Sequence, residues 1–183
     1  MSIHQLKVTL DTITPLIWRR VHVRSETTLA ELHRVLQTAM GWEDYHLHAF
    51  GVGWDRYGDG EGRDETAVTV GRVLPNEGGR MGYRYDFGDC WDHIIEAEKI
   101  HRPHPGTTYP RCSAGRRACP PEDAGGAYGY ADMLKALRAR KGSRYREIKE
   151  WLNGPYDPEA FDLIAINKAL AEHAVSRAVN SST

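Results

Sequence analysis

The sequence predicts an α+β fold: a mainly antiparallel sheet of about five strands in β-β-α-β-β-β order with a C-terminal helical segment. Three observations predict it. Residues 3–10 (IHQLKVTL) and 16–24 (LIWRRVHVR) alternate with the two-residue period of a strand. Thr28 and Glu31 form an S/T-x-x-E capping box ahead of Leu29, Leu32, Val35, Leu36 and Met40, which recur at helical spacing. The C-terminal third carries helical periodicity punctuated by glycine and proline.

The elements follow in order. Leu6, Val8 and Leu10 share one face of the first strand, and residues 11–15 make a turn. In the second strand Ile17, Arg19, Val21 and Val23 share a face, opposite Trp18, Arg20 and His22. The two strands pair as a hairpin. Gly41 ends the first helix as a left-handed cap. Residues 46–52 (HLHAFGV) form a third strand with His46 and His48 on one face. The glycine-rich stretch 53–65 reads as a solvated acidic loop. Its DRYGDG start mimics a calcium loop, but Tyr57 and Thr66 stand where ligands are needed. Residues 66–74 are ambiguous by pattern, a short helix being one reading. Residues 81–87 and 90–100 are strands joined by a two-residue II′ turn at Gly88-Asp89.

Residues 101–126 are rich in Pro, Gly, Arg and Cys and read as a long functional connection. Three helices follow: 128–140, then from Ser143 to just before Gly154-Pro155, then from Asp157-Pro158 to 178. The chain reads as one domain over 1–179, with the sheet in about 1–100 and helices in 127–179, and a frayed tail at 180–183.

Composition limits the function classes. The 183 residues are 40% apolar and 27% charged, with a net charge of −1, so no global field draws the chain to nucleic acid or an anionic membrane. No basic leader or long apolar stretch is present, which predicts a chain without a membrane partner. Three cysteines, an odd count, do not make a secreted disulfide framework. A cytoplasmic location is the expectation.

Residues 83–93, YRYDFGDCWDH, concentrate the chemistry. A two-residue turn makes Asp86 and His93 diagonal neighbours, and a carboxylate orienting an imidazole suits general-base and metal sites. Asp86, Asp89, Asp92, His93 and, from the third strand, His46 are the candidate catalytic residues. The plainer alternative makes Asp89 a turn residue and has Asp86 accept an amide or pair with Arg84. The D-F-G triplet is no kinase signal, because the Gly-rich loop, strand lysine and H-R-D-L motif are absent.

Other stretches carry weaker signals. Cys112 and Cys119, with His101 and His104, are metal candidates, although their spacing is not that of a zinc knuckle. The PPED of residues 120–123 reads as a rigid turn whose Glu122 and Asp123 favour a helix dipole; both are also candidate catalytic carboxylates. Arg138, Arg144 and Arg146, with Lys135, Arg140, Lys141 and Lys149, form a basic run. Arg19 and Arg20 beside Trp18, and Arg116 and Arg117 in the long connection, add to a binding surface for protein or nucleic acid.

WRRVHV, LHRVLQTAMGW with HLHAF after it, YRYDFGDCWDH, RCSAGRRACPPEDAGGAYGY and FDLIAIN together resemble the plasmid pRiA4b ORF-3-like family, over about residues 3–170. The resemblance implies an α+β domain carried by plasmids, insertion elements and chromosomes, some members being labelled resolvase-like or insertion-element passengers. Recombinase chemistry is absent here: Ser2 and Ser25 lack the arginine setting of a serine recombinase, and HRPH at 101–104 is not the H-x-x-R of a tyrosine recombinase. The family's PPEDCGG is PPEDAGG here, so Ala124 breaks a three-cysteine site that the resemblance would imply with Cys112 and Cys119. Two expectations result. The first is a non-enzymatic binding or accessory module of mobile-element origin, without a cofactor. The alternative is a metal-dependent or hydrolase-type enzyme with a divalent ion around the D-F-G-D-x-W-x-H hairpin.

Overall fold

Seven strands form one sheet in a computed structural model, which describes the backbone of residues 1–180 and the side chains of residues 1–172. The strands are β1 (Ile3–Leu10), β2 (Trp18–Arg24), β3 (His48–Val52), β4 (Asp55–Gly58), β5 (Arg80–Tyr85), β6 (Trp91–His101) and β7 (Arg111–Arg116). Their spatial order is β4-β3-β5-β6-β1-β2-β7, and every neighbouring pair is antiparallel. The helices are α1 (Leu29–Met40), α2 (Val70–Val73), α3 (Gly126–Ala139), α4 (Ser143–Leu152) and α5 (Leu163–Asn180). The α+β class is as expected, with two strands more than the sequence suggested. Of the expected tail, residues 181–183 lie outside the described residues.

The alternation read in β1 and β2 sets the core. Leu6, Val8, Leu10, Ile17, Val21 and Val23 are buried with Arg19 on the same inward face, and Lys7, Thr9, Arg20 and His22 on the opposite face are only partly buried. Helix α1 buries Leu29, Leu32, Val35, Leu36 and Met40 in the same core. Each such side chain contributes about 1.5–3 kcal/mol by leaving water. Both halves of the capping box are formed, with the Thr28 Oγ1 accepting from Glu31 N and Glu31 Oε2 accepting from Thr28 N. Gly41 takes φ 90° and closes the helix as expected. Tyr130, Met133, Ile148 and Leu170 bring α3, α4 and α5 into the same cluster.

Four departures from the sequence reading matter. The acidic loop contains β4, which pairs Asp55–Gly58 with β3. The long connection contains β7, which pairs with β2 from Trp18↔Arg116 to His22↔Arg111. Only Cys112 of RCSAGR is buried, so no alternation announced this strand. Its open edge is satisfied by a side chain: Asn167 of α5 accepts from Cys112 N and donates to Cys112 O. Gly115 sits where an added Cβ would lie 2.9 Å from the Trp18 carbonyl oxygen.

The third departure is helix α5, which begins at Leu163 rather than at Asp157-Pro158. Asp162 Oδ1 accepts from Ile164 N and Ala165 N and is the helix's real cap. The residues before it are held elsewhere: Pro158 O accepts from Ala118 N, and Glu159 pairs with Arg117. The fourth is the β5–β6 turn. The register pairs Tyr85 with Trp91, Arg84 with Asp92 and Tyr83 with His93, leaving residues 86–90 as the loop in place of a two-residue turn. Asp86 and Cys90 take left-handed φ of 58° and 55°, and Cys90 N donates to Asp86 O. This register differs by one residue from the expected pairing, which reverses the relative faces. Asp92 therefore points outward to Arg84, and His93 points into the core beside Tyr83.

Candidate metal centre

Three chain segments meet at the end of β5. The first is the α1–β3 connection, which carries His46. It is fixed by a row of hydrogen bonds: Trp42 Nε1 donates to Pro120 O, Glu43 N to Glu122 Oε1, Asp44 N to Gln37 Oε1 and Tyr45 N to the Tyr85 hydroxyl. The second is the 86–90 loop. Asp86 is buried, and its Oδ1 accepts from Gly88 N and Asp89 N, so the carboxylate folds the loop around itself. The third is the segment before α3. Asp89 Oδ2 accepts from Gly125 N and ties it to the loop. No Cβ fits at Gly126, where it would lie 2.8 Å from Asp89 O.

The Nε2 of His46 points into the space between these segments. It lies 3.2 Å from Asp123 Oδ1, 3.7 Å from Asp86 Oδ2 and 3.8 Å from Glu122 Oε2. Both His46 Nε2 and Glu122 Oε2 are buried atoms without a hydrogen-bond partner. Glu122 is aimed by its other oxygen, which accepts from the Tyr85 hydroxyl and Glu43 N. Burial, then the Glu122 contact, pushes the Tyr85 hydroxyl well above the ordinary tyrosine range, so it stays a donor. Ligand atoms of His46, Asp86 and Asp123 all lie within 4.8 Å of one another. Atoms about 2.1 Å from a shared tetrahedral ion are about 3.4 Å apart. The separations from His46 Nε2 bracket that spacing; those to Asp86 and Glu122 are long for hydrogen bonds, and that to Asp123 is at the upper end of the hydrogen-bond range.

The sequence candidates divide. Asp86 and His46 come together, and Asp89 supports them. Asp92 lies on the outer face in a two-pronged pair with Arg84. His93 forms neither hydrogen bond nor ion pair with Asp86; its Nδ1 donates to Tyr83 O, and its ring packs against Trp42 and Tyr83. The expected Asp86–His93 pair is thus replaced by Asp86–His46, as the register dictates. Glu122 and Asp123, read first as helix-dipole residues, turn toward His46. His48, expected beside His46, stacks instead on His33 at a centroid distance of 3.5 Å. Asp44 bonds His33, and Asp59 and Glu65 hold His48.

Cys112 and Cys119 are buried free thiols; Cys112 Sγ donates to Ala114 O, and Cys119 lies against Met40 and Arg19. Among the described residues neither belongs to a group of three metal-ligating side chains, and burial pushes the Cys119 thiol up to about 11. Arg19 is a correction: it is 3% exposed and serves the interior, donating to Ala39 O, Trp18 O and Arg116 O under the Phe161 ring. Arg20 pairs with Glu98, Arg117 with Glu159, and Arg144 with Asp132 and Glu147. Among the described residues Arg116, Arg138 and Arg146 are exposed and form no ion pair.

His93 yields a pH prediction. Burial pulls its pKa down to about 4 from 6.5. The unfolded chain takes up this proton near the higher value and the folded chain near the lower. The stability contributed by the neutral ring is complete above about pH 6.5 and falls toward pH 4, by about 3 kcal/mol. His4, His22 and His33 shift in the same direction. His93→Gln therefore lessens, without abolishing, the fall in urea midpoint between those pH values; an unchanged fall refutes the assignment.

An antiparallel α+β sheet with one imidazole and three carboxylates converging at a strand end defines an α+β domain with a candidate cation cluster. The chain belongs to the plasmid pRiA4b ORF-3-like protein family, whose pattern matches residues 2–165. It is 37% identical over 182 residues to the uncharacterized protein y4hQ of Sinorhizobium fredii, covering 94% of this chain and 93% of that one. It also resembles the crystal structure of MM3350 from Methanosarcina mazei Go1, a protein of unknown function. That match has a TM-score of 0.81 and 37% identity, covering 88% of this chain and 96% of that one. No helix among the described residues is long and apolar enough to cross a membrane.

Proposed function

We propose that this protein binds one divalent cation through His46, Asp86 and Asp123 and acts as a metal-dependent hydrolase-type enzyme. The observation that carries the reading is the buried, unpartnered His46 Nε2 facing three carboxylate oxygens at 3.2–3.8 Å. A ligand set of one imidazole and several carboxylates suits Mn²⁺ or Zn²⁺. The Asp123 side chain is 71% exposed, so the cluster is open on that side, as catalytic sites are. A bound ion would supply a water with a lowered pKa. Glu122, held through Oε1 and free at Oε2, would be the general base beside such an ion. The three free cysteines suit a cytoplasmic setting.

The test is titration of the metal-free chain with Mn²⁺ and Zn²⁺, followed by assays on activated phosphate and carboxylate esters with and without the ion. Saturable binding of one equivalent at this cluster with ion-dependent hydrolysis is the expected result. Absence of saturable binding at micromolar ion sinks the reading. A second reading, a nucleic-acid-binding accessory module, rests on the exposed Arg138 and Arg146. It requires affinity that falls steeply with salt and is lost in an Arg138→Ala, Arg146→Ala chain.

A further inference from the structure

A pocket of about 400 Å³ lies where β1 begins and β2 and β6 end, at the far end of β6 from the carboxylate cluster. That volume falls in the range of small-molecule sites. Its walls come from segments distant in sequence. Ser2 and His4 lie at the start of β1, Ser25 and Glu26 follow β2, and Thr69 and Gly71 lie at the start of α2. Backbone bonds hold these walls together: Ser25 N donates to Ser2 O, and Gly71 N donates to Ser25 O. A Cβ at Gly71 would lie 3.0 Å from Ser25 Cβ, so glycine permits the approach.

The hydrogen bonds leave this pocket with acceptors to spare. His4 is 2% exposed, and its Nε2 donates to Leu74 O at 3.0 Å. A carbonyl only accepts, so the neutral ring carries its proton on Nε2 and a bare lone pair on Nδ1. Burial holds the His4 pKa below 6.5, which keeps the ring neutral at neutral pH. Nδ1 is closed off from bulk water and has no partner, a deficit that costs about 1–3 kcal/mol. Ser2 Oγ donates to Ser25 Oγ, and Ser25 Oγ donates to Ser2 O or to Glu26 Oε1. Both serine protons are thus committed, and Ser2 Oγ keeps its lone pairs. Thr69 makes no capping bond with its side chain, so its hydroxyl is the one donor left. Glu26 is the one charged residue in the lining, which holds no lysine or arginine, and Pro75 and Ile100 give it an apolar side.

We infer that this pocket binds a small primary alkylamine in its ammonium form. An ammonium carries three N–H donors and no acceptor. That complement matches the acceptors His4 Nδ1, Ser2 Oγ and the Glu26 carboxylate, and Glu26 balances the charge. The alkyl stem has Pro75 and Ile100 to lie against. A carboxylate or phosphate ligand fits poorly, because it meets a like charge at Glu26 and at most the Thr69 hydroxyl as a donor. The pocket shares no residue with the carboxylate cluster, so this inference does not depend on ion binding there.

The experiment is an NMR titration of the isotope-labelled full-length chain at neutral pH, without added metal. Butylamine is the probe, and 1-butanol is its uncharged counterpart. The expected result is saturable shifts at the Ser25 and Gly71 amides with millimolar butylamine. The His4 Nδ1 resonance moves with them toward its hydrogen-bonded position. 1-Butanol binds at least about tenfold more weakly, the scale of a hydrogen bond to a charged group. Glu26→Gln weakens butylamine binding at least about threefold, as loss of an exposed charge partner does. Glu26 is exposed, and a glutamine oxygen still accepts from Ser25 Oγ, so this variant keeps the fold. Absence of saturable shifts overturns the inference. So do equal binding of 1-butanol, unchanged affinity in Glu26→Gln, or binding that leaves His4 Nδ1 unmoved.

Discussion

Asp86→Asn lowers affinity for Mn²⁺ at the carboxylate cluster by at least about 100-fold, the upper end of what loss even of an outer-sphere partner costs. The substitution is chosen for its geometry. Asp86 holds a left-handed φ of 58°, a conformation that asparagine tolerates. Its Oδ1 accepts from Gly88 N and Asp89 N, and an amide oxygen accepts the same two donors. The loop therefore survives while the negative charge beside His46 Nε2 is removed. The expected readout is lost metal binding with a thermal midpoint within a few degrees of the parent. A parallel loss of fold makes Asp86 a loop-former only, and unchanged metal binding removes it from the ligand set. His46→Gln is the companion change, and it reaches the same ion from the other segment.

Arg19→Ala destabilises the chain by about 3–5 kcal/mol, because a buried charged donor leaves its acceptors unpaired. The guanidinium reaches Ala39 O at 2.8 Å, Trp18 O at 2.9 Å and Arg116 O at 3.0 Å. It thus joins the C-terminal turn of α1, where a cation is favoured, to β2 and the edge strand β7. Phe161 covers it at 5.0 Å. A domain with about 5–15 kcal/mol in all loses a large share of its margin. The measurement is the shift in urea midpoint at unchanged slope. Arg19→Lys recovers little, since these bonds are made from two separate guanidinium nitrogens, Nε and Nη1, and a single ammonium nitrogen occupies only one such position. A chain that keeps its midpoint but loses nucleic-acid binding returns Arg19 to the surface role that its sequence neighbours Trp18 and Arg20 suggested.

Arg19 shows how far the sequence reaches. Its parity with Ile17, Val21 and Val23 already placed it on the inward face, yet its charge argued for the surface. Strand alternation was the stronger signal, since an inward arginine is tolerated wherever backbone acceptors exhaust its donors. The same kind of conflict hid β7 and β4. Both are edge strands with few inward apolar residues, and their pairing is satisfied by backbone and by Asn167 rather than by a side-chain pattern. The α5 start was misplaced because Asp157-Pro158 and Asp162 are both sound caps locally. Contacts of Pro158 and Glu159 with residues 117–118 decided between them.

The site was legible in part for the same reason. Asp86, Asp89 and His46 stood out because carboxylates and an imidazole crowd short, aromatic stretches. Their true partners did not. A five-residue loop in place of a two-residue turn changes the β5–β6 pairing by one position, which sends His93 inward and Asp92 outward. Glu122 and Asp123 were visible as a PPED turn, but nothing in their local spacing says that Asp89 and Gly125 would draw that turn onto His46.

By itself the sequence determined what depends on neighbours along the chain: the α+β class, the capped α1 helix, the inward faces of β1 and β2, and the residue types available for chemistry. Only the tertiary structure decided which of those residues meet. The reason is physical: propensity, capping and alternation act within a turn or a strand, whereas a site is built from loops whose register and approach are set by packing between distant segments.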